Sequence, residues 1–247
     1  MLVPMIRLLT LLVLGLCCGC HGSPDRPANL RAAALLSGVE RLHIELQGPD
    51  TASYRLGYGT LSDYRTLPAG RYAVRVTDGD RTLLEQTIGL GAGDPFTLLL
   101  TGVSQPGQEV NPQSFNHRLH RIVEGSAAVT ANAQLPQLLL YTDYFVRVAG
   151  RGNLRVTHLL PGRGPVDVEL LRHDSSVTTI TNLAYPRASE RQRYPPGEYT
   201  AVVHPAGSPV EEGRFTLRID SAALTDVLLV PHPDGTAGPG VLTGVSR

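Results

Sequence analysis

The sequence predicts an all-β chain built from two similar antiparallel sandwiches, and three observations predict it. Apolar and polar residues alternate with a period of two in several short segments. Turn residues recur between those segments, and a set of short motifs returns at one offset along the chain. Alternation of that period places one side of a strand inward and the other outward. Regular short strands separated by turns are the pattern of a sandwich. Helical periodicity is weak throughout, and Ala32 to Leu36, the best helix former by composition, is too short to nucleate alone.

With 247 residues, and roughly 100–200 residues as the usual domain size, the chain has room for one or two domains; the repeat favours two. Hydrophobic residues make up 42% and charged residues 18%, enough apolar material for a core in each. Lys+Arg and Asp+Glu both number 22, so no overall field draws the chain to nucleic acid and no such partner is expected.

The first residues read as an export signal. Arg7 supplies positive charge, Leu8 to Leu16 is apolar apart from Thr10 and Gly15, and Cys17-Cys18-Gly19-Cys20 follows. The apolar stretch is shorter than the roughly 20 residues a membrane-crossing helix needs, and a small residue precedes a cysteine, as at a processing site. Met5 is an alternative start that leaves a more compact signal. Gly19-Cys20 resembles a bacterial lipobox, with Cys17 where leucine usually stands. The resemblance implies that residues 1–19 are removed and that Cys20 is the lipid-attachment residue, carrying a thioether-linked diacylglycerol and an acylated amine. Two or more acyl chains anchor stably where one binds marginally. His21 next to it, by resemblance to Gram-negative lipoproteins, implies the outer membrane. The alternative is a plain secreted protein cut nearby.

All three cysteines lie in this segment, so the mature chain can form no internal disulfide and no cysteine-type zinc site. Residues 20–27 then form a short polar tether with Pro24 and Pro27.

Beyond the tether the chain repeats itself. Asn29-Leu30-Arg31 returns as Asn153-Leu154-Arg155, Leu35-Leu36 as Leu159-Leu160, Gly38 as Gly162 and Glu45-Leu46 as Glu169-Leu170, each 124 residues on. Leu67-Pro68-Ala69-Gly70-Arg71-Tyr72 matches Tyr194-Pro195-Pro196-Gly197-Glu198-Tyr199 at 127, a small loop insertion accounting for the shift. Near-constant spacing is the mark of a duplication. Tyr72, Val74 and Val76 alternate with Ala73, Arg75 and Thr77, and Tyr199, Ala201 and Val203 do so in the second copy. The Pro-Ala-Gly and Pro-Pro-Gly stretches before them supply a fixed φ and then a residue tolerant of positive φ, as a tight turn requires. Leu30 to Leu36, Leu42 to Leu46, Leu83 to Ile88 and Phe96 to Val103 complete the first copy, and about seven strands per copy are expected. The first sandwich is expected over residues 28–148, with an inserted loop at 104–137 opened by Pro106, Gly107, Asn111 and Pro112 and closed by Pro136. The second is expected over 149–234, with 235–247 a flexible tail or an edge strand through Val241 to Val245.

Leu154-Arg155-Val156-Thr157-His158, then Pro165 to Leu170 and the Tyr194 to Tyr199 turn, resemble an exported bacterial β-sandwich family known as domain-of-unknown-function 4397, whose members often occur as tandem copies. The resemblance spans most of residues 28–103 and 138–231. It implies two tandem immunoglobulin-like sandwiches and export, and it brings no established activity. Leu159 to Gly164 replaces the family's Ser-Pro-Asp-Ala stretch, and the first copy has Ala34 where His158 stands.

The residues that offer chemistry read as structural. His117 and His120 have chelating spacing only on a helix and lack a third ligand, so they read as loop residues. Gly89 to Gly93 lacks the following helix of a phosphate loop and reads as a turn. Ser37-Gly38 and Gly125-Ser126 lack the pattern of a nucleophile elbow. His158, beside Asp167 only if their strands pair, reads as a histidine that holds a turn. Arg187, Arg191 and Arg193, flanked by Tyr185 and Tyr194, read as a solvated loop before an anion or glycan site.

The expectation is a non-enzymatic envelope lipoprotein that binds or spaces other components, with no cofactor, no metal and no catalytic residue. Its partners are a membrane, through the N-terminal lipid, and an envelope protein or glycan. A small-ligand or carbohydrate-binding module is the alternative, and an enzyme comes third.

Overall fold

The computed structural model describes residues 26–104, 135–173, 175–232 and 238–246. The expected signal with Cys20, the His117 and His120 pair, and Gly125-Ser126 lie outside them. The first module contains β1 (Ala28–Ser37), β2 (Arg41–Gln47), β3 (Thr51–Gly57), β4 (Thr60–Leu61), β5 (Arg65–Leu67), β6 (Gly70–Asp78), β7 (Arg81–Leu90), β8 (Pro95–Val103) and β9 (Gln137–Thr142). The second contains β10 (Gly152–His158), β11 (Val166–Arg172), β12 (Ser175–Leu183), β13 (Arg187–Ala188), β14 (Gln192–Tyr194), β15 (Gly197–Pro205), β16 (Gly213–Ile219), β17 (Leu224–Pro231) and β18 (Pro239–Ser246).

Each module is a pair of sheets. In the first, β4-β1-β8-β9, with β5 also paired to β1, faces β3-β2-β6-β7. In the second, β13-β10-β17-β18, with β14 paired to β10, faces β12-β11-β15-β16. The two modules therefore repeat one topology strand for strand. Pairing is antiparallel except for one parallel pair in each, β1 with β8 and β10 with β17. In these strands the residues alternate between two apolar environments instead of between core and water.

That double burial explains the composition of β1. Leu30, Ala32, Ala34 and Leu36 enter the core of the first sandwich, while Ala33 and Leu35 face the second module and pack with Leu99, Leu159, Leu228 and Val230. A strand covered on both faces carries a continuous apolar run and no alternation, which is why Leu30 to Leu36 reads so little like a half-exposed strand. The outer sheets keep the simple pattern. Leu42, Ile44 and Leu46 of β2 and Tyr72, Val74 and Val76 of β6 are buried, and the residues between them reach solvent. The body is thus four layers deep, with the β1 and β10 sheets face to face at its centre.

Both proline-glycine stretches are turns with the required backbone. Gly70 has φ 151° and Gly197 φ 149°, and a Cβ on Gly70 would lie 2.6 Å from Pro49 Cγ. Tyr72 and Tyr199 then plunge into the two cores, and each hydroxyl donates back to a carbonyl four residues upstream, Pro68 and Pro195, at 2.8 Å. This is the arrangement of a tyrosine corner. The stretch after Leu138 forms strand only to Thr142, and residues 143–151 are irregular apart from a Val148 to Arg151 bridge. Near the C-terminus, Pro239–Ser246 pairs along the edge of β17.

Candidate functional site

The most organised polar cluster among the described residues lies between the modules. Period-two alternation turns Arg31 of β1 and Arg155 of β10 out of their own cores and toward each other's sheet. Arg31 Nη2 donates to Asp226 Oδ2 at 2.8 Å, and Arg155 Nε donates to Asp226 Oδ1 at 2.6 Å. Arg155 also donates through Nη2 to Asp143 Oδ1 at 2.5 Å and through Nη1 to the Thr142 carbonyl at 2.9 Å. Arg31 Nε donates to Thr97 Oγ1, 2.8 Å away, whose own proton goes to Asp143 Oδ2 at 2.5 Å. Tyr64 donates its hydroxyl proton to the same oxygen at 2.7 Å and accepts from Ser246 at 2.7 Å. The side chains of both arginines and both aspartates are at most 6% exposed.

Two guanidinium groups and two carboxylates cancel in charge, and tyrosine rings cover the cations. Arg31 stacks on Tyr64 at 4.8 Å and Arg155 on Tyr141 at 5.2 Å. Burial opposes the charge on Arg155, but Asp226 and Asp143 outweigh it and raise its pKa. Burial, reinforced by Asp143, pushes the Tyr64 phenol up to about 12. With every carboxylate oxygen occupied and water excluded, the cluster has no open position for a substrate. It fixes one module against the other.

The two arginines occupy equivalent places in the repeat, but their carboxylates do not. Arg31 pairs in register with Thr97 on β8, whereas Arg155 pairs with Asp226 on β17. In the sequence Arg31 and Arg155 stand out as repeat positions and not as interface residues. The available signal was an arginine at the same register in two otherwise apolar strands.

His158 is fully buried at the end of β10. Its Nδ1 accepts from the Leu160 amide at 3.2 Å, which leaves the Nε2 proton to the Gly164 carbonyl at 3.0 Å; its ring meets Tyr185 edge-on at 5.9 Å. The histidine therefore holds the 159–164 turn. Asp167 is elsewhere: β10 and β11 belong to different sheets, and its carboxylate accepts from the amides of Asn182 and Gly207 at 2.7 and 2.9 Å. Burial lowers the His158 pKa, opposed by the Gly164 hydrogen bond. A folded value below the unfolded one, about 6.5, gives a contribution present above that value and lost as pH falls below it. The thermal midpoint should drop between pH 7 and pH 5 by less in His158→Asn than in the unaltered protein; equal drops would remove His158 from that dependence.

Arg187, Arg191 and Arg193 are exposed along the short strands β13 and β14. Their tyrosine neighbours are not exposed with them. Tyr185 packs on His158, and Tyr194 lies in the second core edge-on to Tyr199 at 5.9 Å. The exposed arginines fit the solvated reading, and the alternative of a site with aromatic faces lacks its rings, because Tyr185 in the turn before β13 and Tyr194 on β14 are both buried. Of the Gly89 to Gly93 stretch, Gly89 and Leu90 end β7 in register with β6 and only Gly91 to Gly93 turns toward β8, while Ser37-Gly38 closes β1. At that closing end a cleft of about 590 Å³ lies between Glu40, Arg41 and Tyr58 of the first module and His232 of the second. The Tyr58 hydroxyl donates across the module boundary to the Pro231 carbonyl at 2.7 Å. Among the described residues, no group of three or more His, Cys, Asp or Glu is placed to hold a metal ion.

No curated protein matches the chain. Solved structures share little identity with it. The Bacillus anthracis TIE protein is 11% identical over 83% of this chain and 34% of its own, with a TM-score of 0.27. A leucine-rich repeat protein from Bacteroides thetaiotaomicron is 15% identical over 83% of this chain and 26% of its own, at 0.21. The tip fimbrial protein Mfa3 from Porphyromonas gingivalis is 9% identical over 90% of this chain and 99% of its own, at 0.21. The chain thus spans about a third and a quarter of the first two proteins. Residues 20–133 match the family described as Domain of unknown function (DUF4397).

Proposed function

We propose that this chain is a non-enzymatic, lipid-anchored envelope protein whose two sandwiches act as one rigid body that binds or spaces other envelope components. The observation that carries the reading is the sealed cluster between the modules. Arg31, Arg155, Asp143 and Asp226, the most concentrated charges of the described residues, hold sheet to sheet, and His158 holds a turn. The polar groups with chemical potential serve geometry. A stiff body on a short tether suits a role in spacing or presenting a surface. The Gly19-Cys20 pair and His21 support an outer-membrane address.

Intact mass spectrometry of the mature protein from membrane and soluble fractions of its host tests this reading. A chain beginning at Cys20 and carrying a diacylglycerol mass is the expected result. An unmodified chain free in the medium would contradict it.

A second reading, small-ligand or glycan binding, is favoured by the cleft beside Tyr58, Arg41 and His232, whose volume of about 590 Å³ is within the usual range for such sites. Thermal-shift and glycan-array screens showing no response would remove it.

A further inference from the structure

The end of the molecule from which the tether leaves carries an exposed aromatic and basic loop. The carbonyl of Pro27, the last tether residue, accepts from the Gly93 amide at 3.3 Å; the Asn29 amide donates to the Asp94 carbonyl at 3.1 Å; and the Asp143 amide donates to the Pro95 carbonyl at 2.7 Å. Tyr144 to Arg151 therefore emerges beside the start of β1. Tyr144 is 60% and Val146 57% exposed, with Phe145 half-buried beneath Arg147, whose guanidinium lies 5.9 Å from its ring. Arg26, Arg147 and Arg151 are exposed at this end. Asp143 is consumed by the buried cluster, and Asp220 pairs with Arg218 at 3.0 Å.

We propose that this loop contacts an anionic phospholipid surface, with Tyr144, Phe145 and Val146 entering the headgroup region and Arg147 and Arg151 meeting phosphates. The inference rests on the lipid anchor proposed above. His21 to Pro27 is seven residues, at most about 25 Å when fully extended, so an anchored Cys20 holds this end near the bilayer. Aromatic side chains mixed with arginine are the composition that partitions to a membrane interface, and basic groups gain from anionic lipid. The short tether makes even a weak contact effective, because the surface is present at high local concentration. The contact would set the β-strands of both modules upright from the membrane.

The chain contains no tryptophan, so a single introduced one reports cleanly. The full lipidated protein carrying Val146→Trp is placed in phosphatidylethanolamine and phosphatidylglycerol vesicles, with or without dibrominated acyl chains. Asp80→Trp is the control. Asp80 is exposed at the β6–β7 turn, and Arg81 beside it donates to Ser104, which in turn donates to Ser37 at the far end of β1. Brominated lipid should quench the Val146→Trp emission, as expected for a side chain at the headgroup and acyl boundary, and leave Asp80→Trp unchanged. Adding Arg147→Gln and Arg151→Gln should reduce that quenching. Quenching of Val146→Trp no greater than that of Asp80→Trp overturns the contact. An intact mass of the same preparation separates the cases: with diacylglycerol on Cys20 the anchor stands and only the contact fails, whereas without it both fail.

Discussion

Replacing Asp226 by alanine should lower the stability of the protein by about 3–5 kcal/mol, the usual loss when one partner of a buried ion pair is removed. Its two carboxylate oxygens accept from Arg31 and from Arg155 at 2.8 and 2.6 Å. Alanine there leaves two guanidinium groups, with only Asp143 as counter-charge, in a space closed to water. Urea unfolding of the variant and the unaltered protein measures the difference. The interface would also loosen, since Leu228 and Val230 on the same face of β17 pack with Ala33, Leu35 and Leu99 of the first module. A loss below about 1 kcal/mol would match an exposed pair and would contradict the burial of this one.

The second large effect is expected at Tyr199. Its ring is 1% exposed, and truncation to alanine should cost about 3–5 kcal/mol through lost contacts and the cavity left behind. Tyr199→Phe keeps the ring and deletes only the hydroxyl that donates to the Pro195 carbonyl at 2.8 Å, so it should cost about 1 kcal/mol. The same pair of substitutions at Tyr72 should give the same ordering, because Tyr72 donates to the Pro68 carbonyl at the same distance. Chemical denaturation of the four variants checks both. Equal losses for the alanine and phenylalanine variants would show that the corner acts through its hydrogen bond alone.

The sequence made the outer sheets legible and the central ones obscure, for one physical reason. In β2 and β6 a face meets water, so Leu42, Ile44 and Leu46, and Tyr72, Val74 and Val76, stand out by alternation. In β1 and β8 both faces meet protein, and alternation is lost just where the modules join. The edge strand β3 carries its signal only at Tyr54 and Leu56 and was not anticipated. The parallel pairing of β1 with β8 links residues more than sixty positions apart, and no local pattern encodes it. The repeat of Asn29-Leu30-Arg31 at Asn153-Leu154-Arg155 did mark the arginines of the interface. Their carboxylates could not be found in the same way, since Thr97 stands in register where the second copy has Asp226. His158 was readable as a turn-holding residue. The Arg187, Arg191 and Arg193 cluster is readable as solvated, whereas the burial of Tyr185 and Tyr194 beside it is not, because chain proximity says nothing about which way each ring turns.

The central claim, that the modules form one rigid body, is tested most directly by scanning calorimetry of the mature chain. Sheets joined through a buried ionic cluster and an apolar contact should unfold together, giving a single transition whose calorimetric and van't Hoff enthalpies agree. Two separate transitions, or a calorimetric enthalpy about twice the van't Hoff value, would show independent sandwiches and contradict the claim.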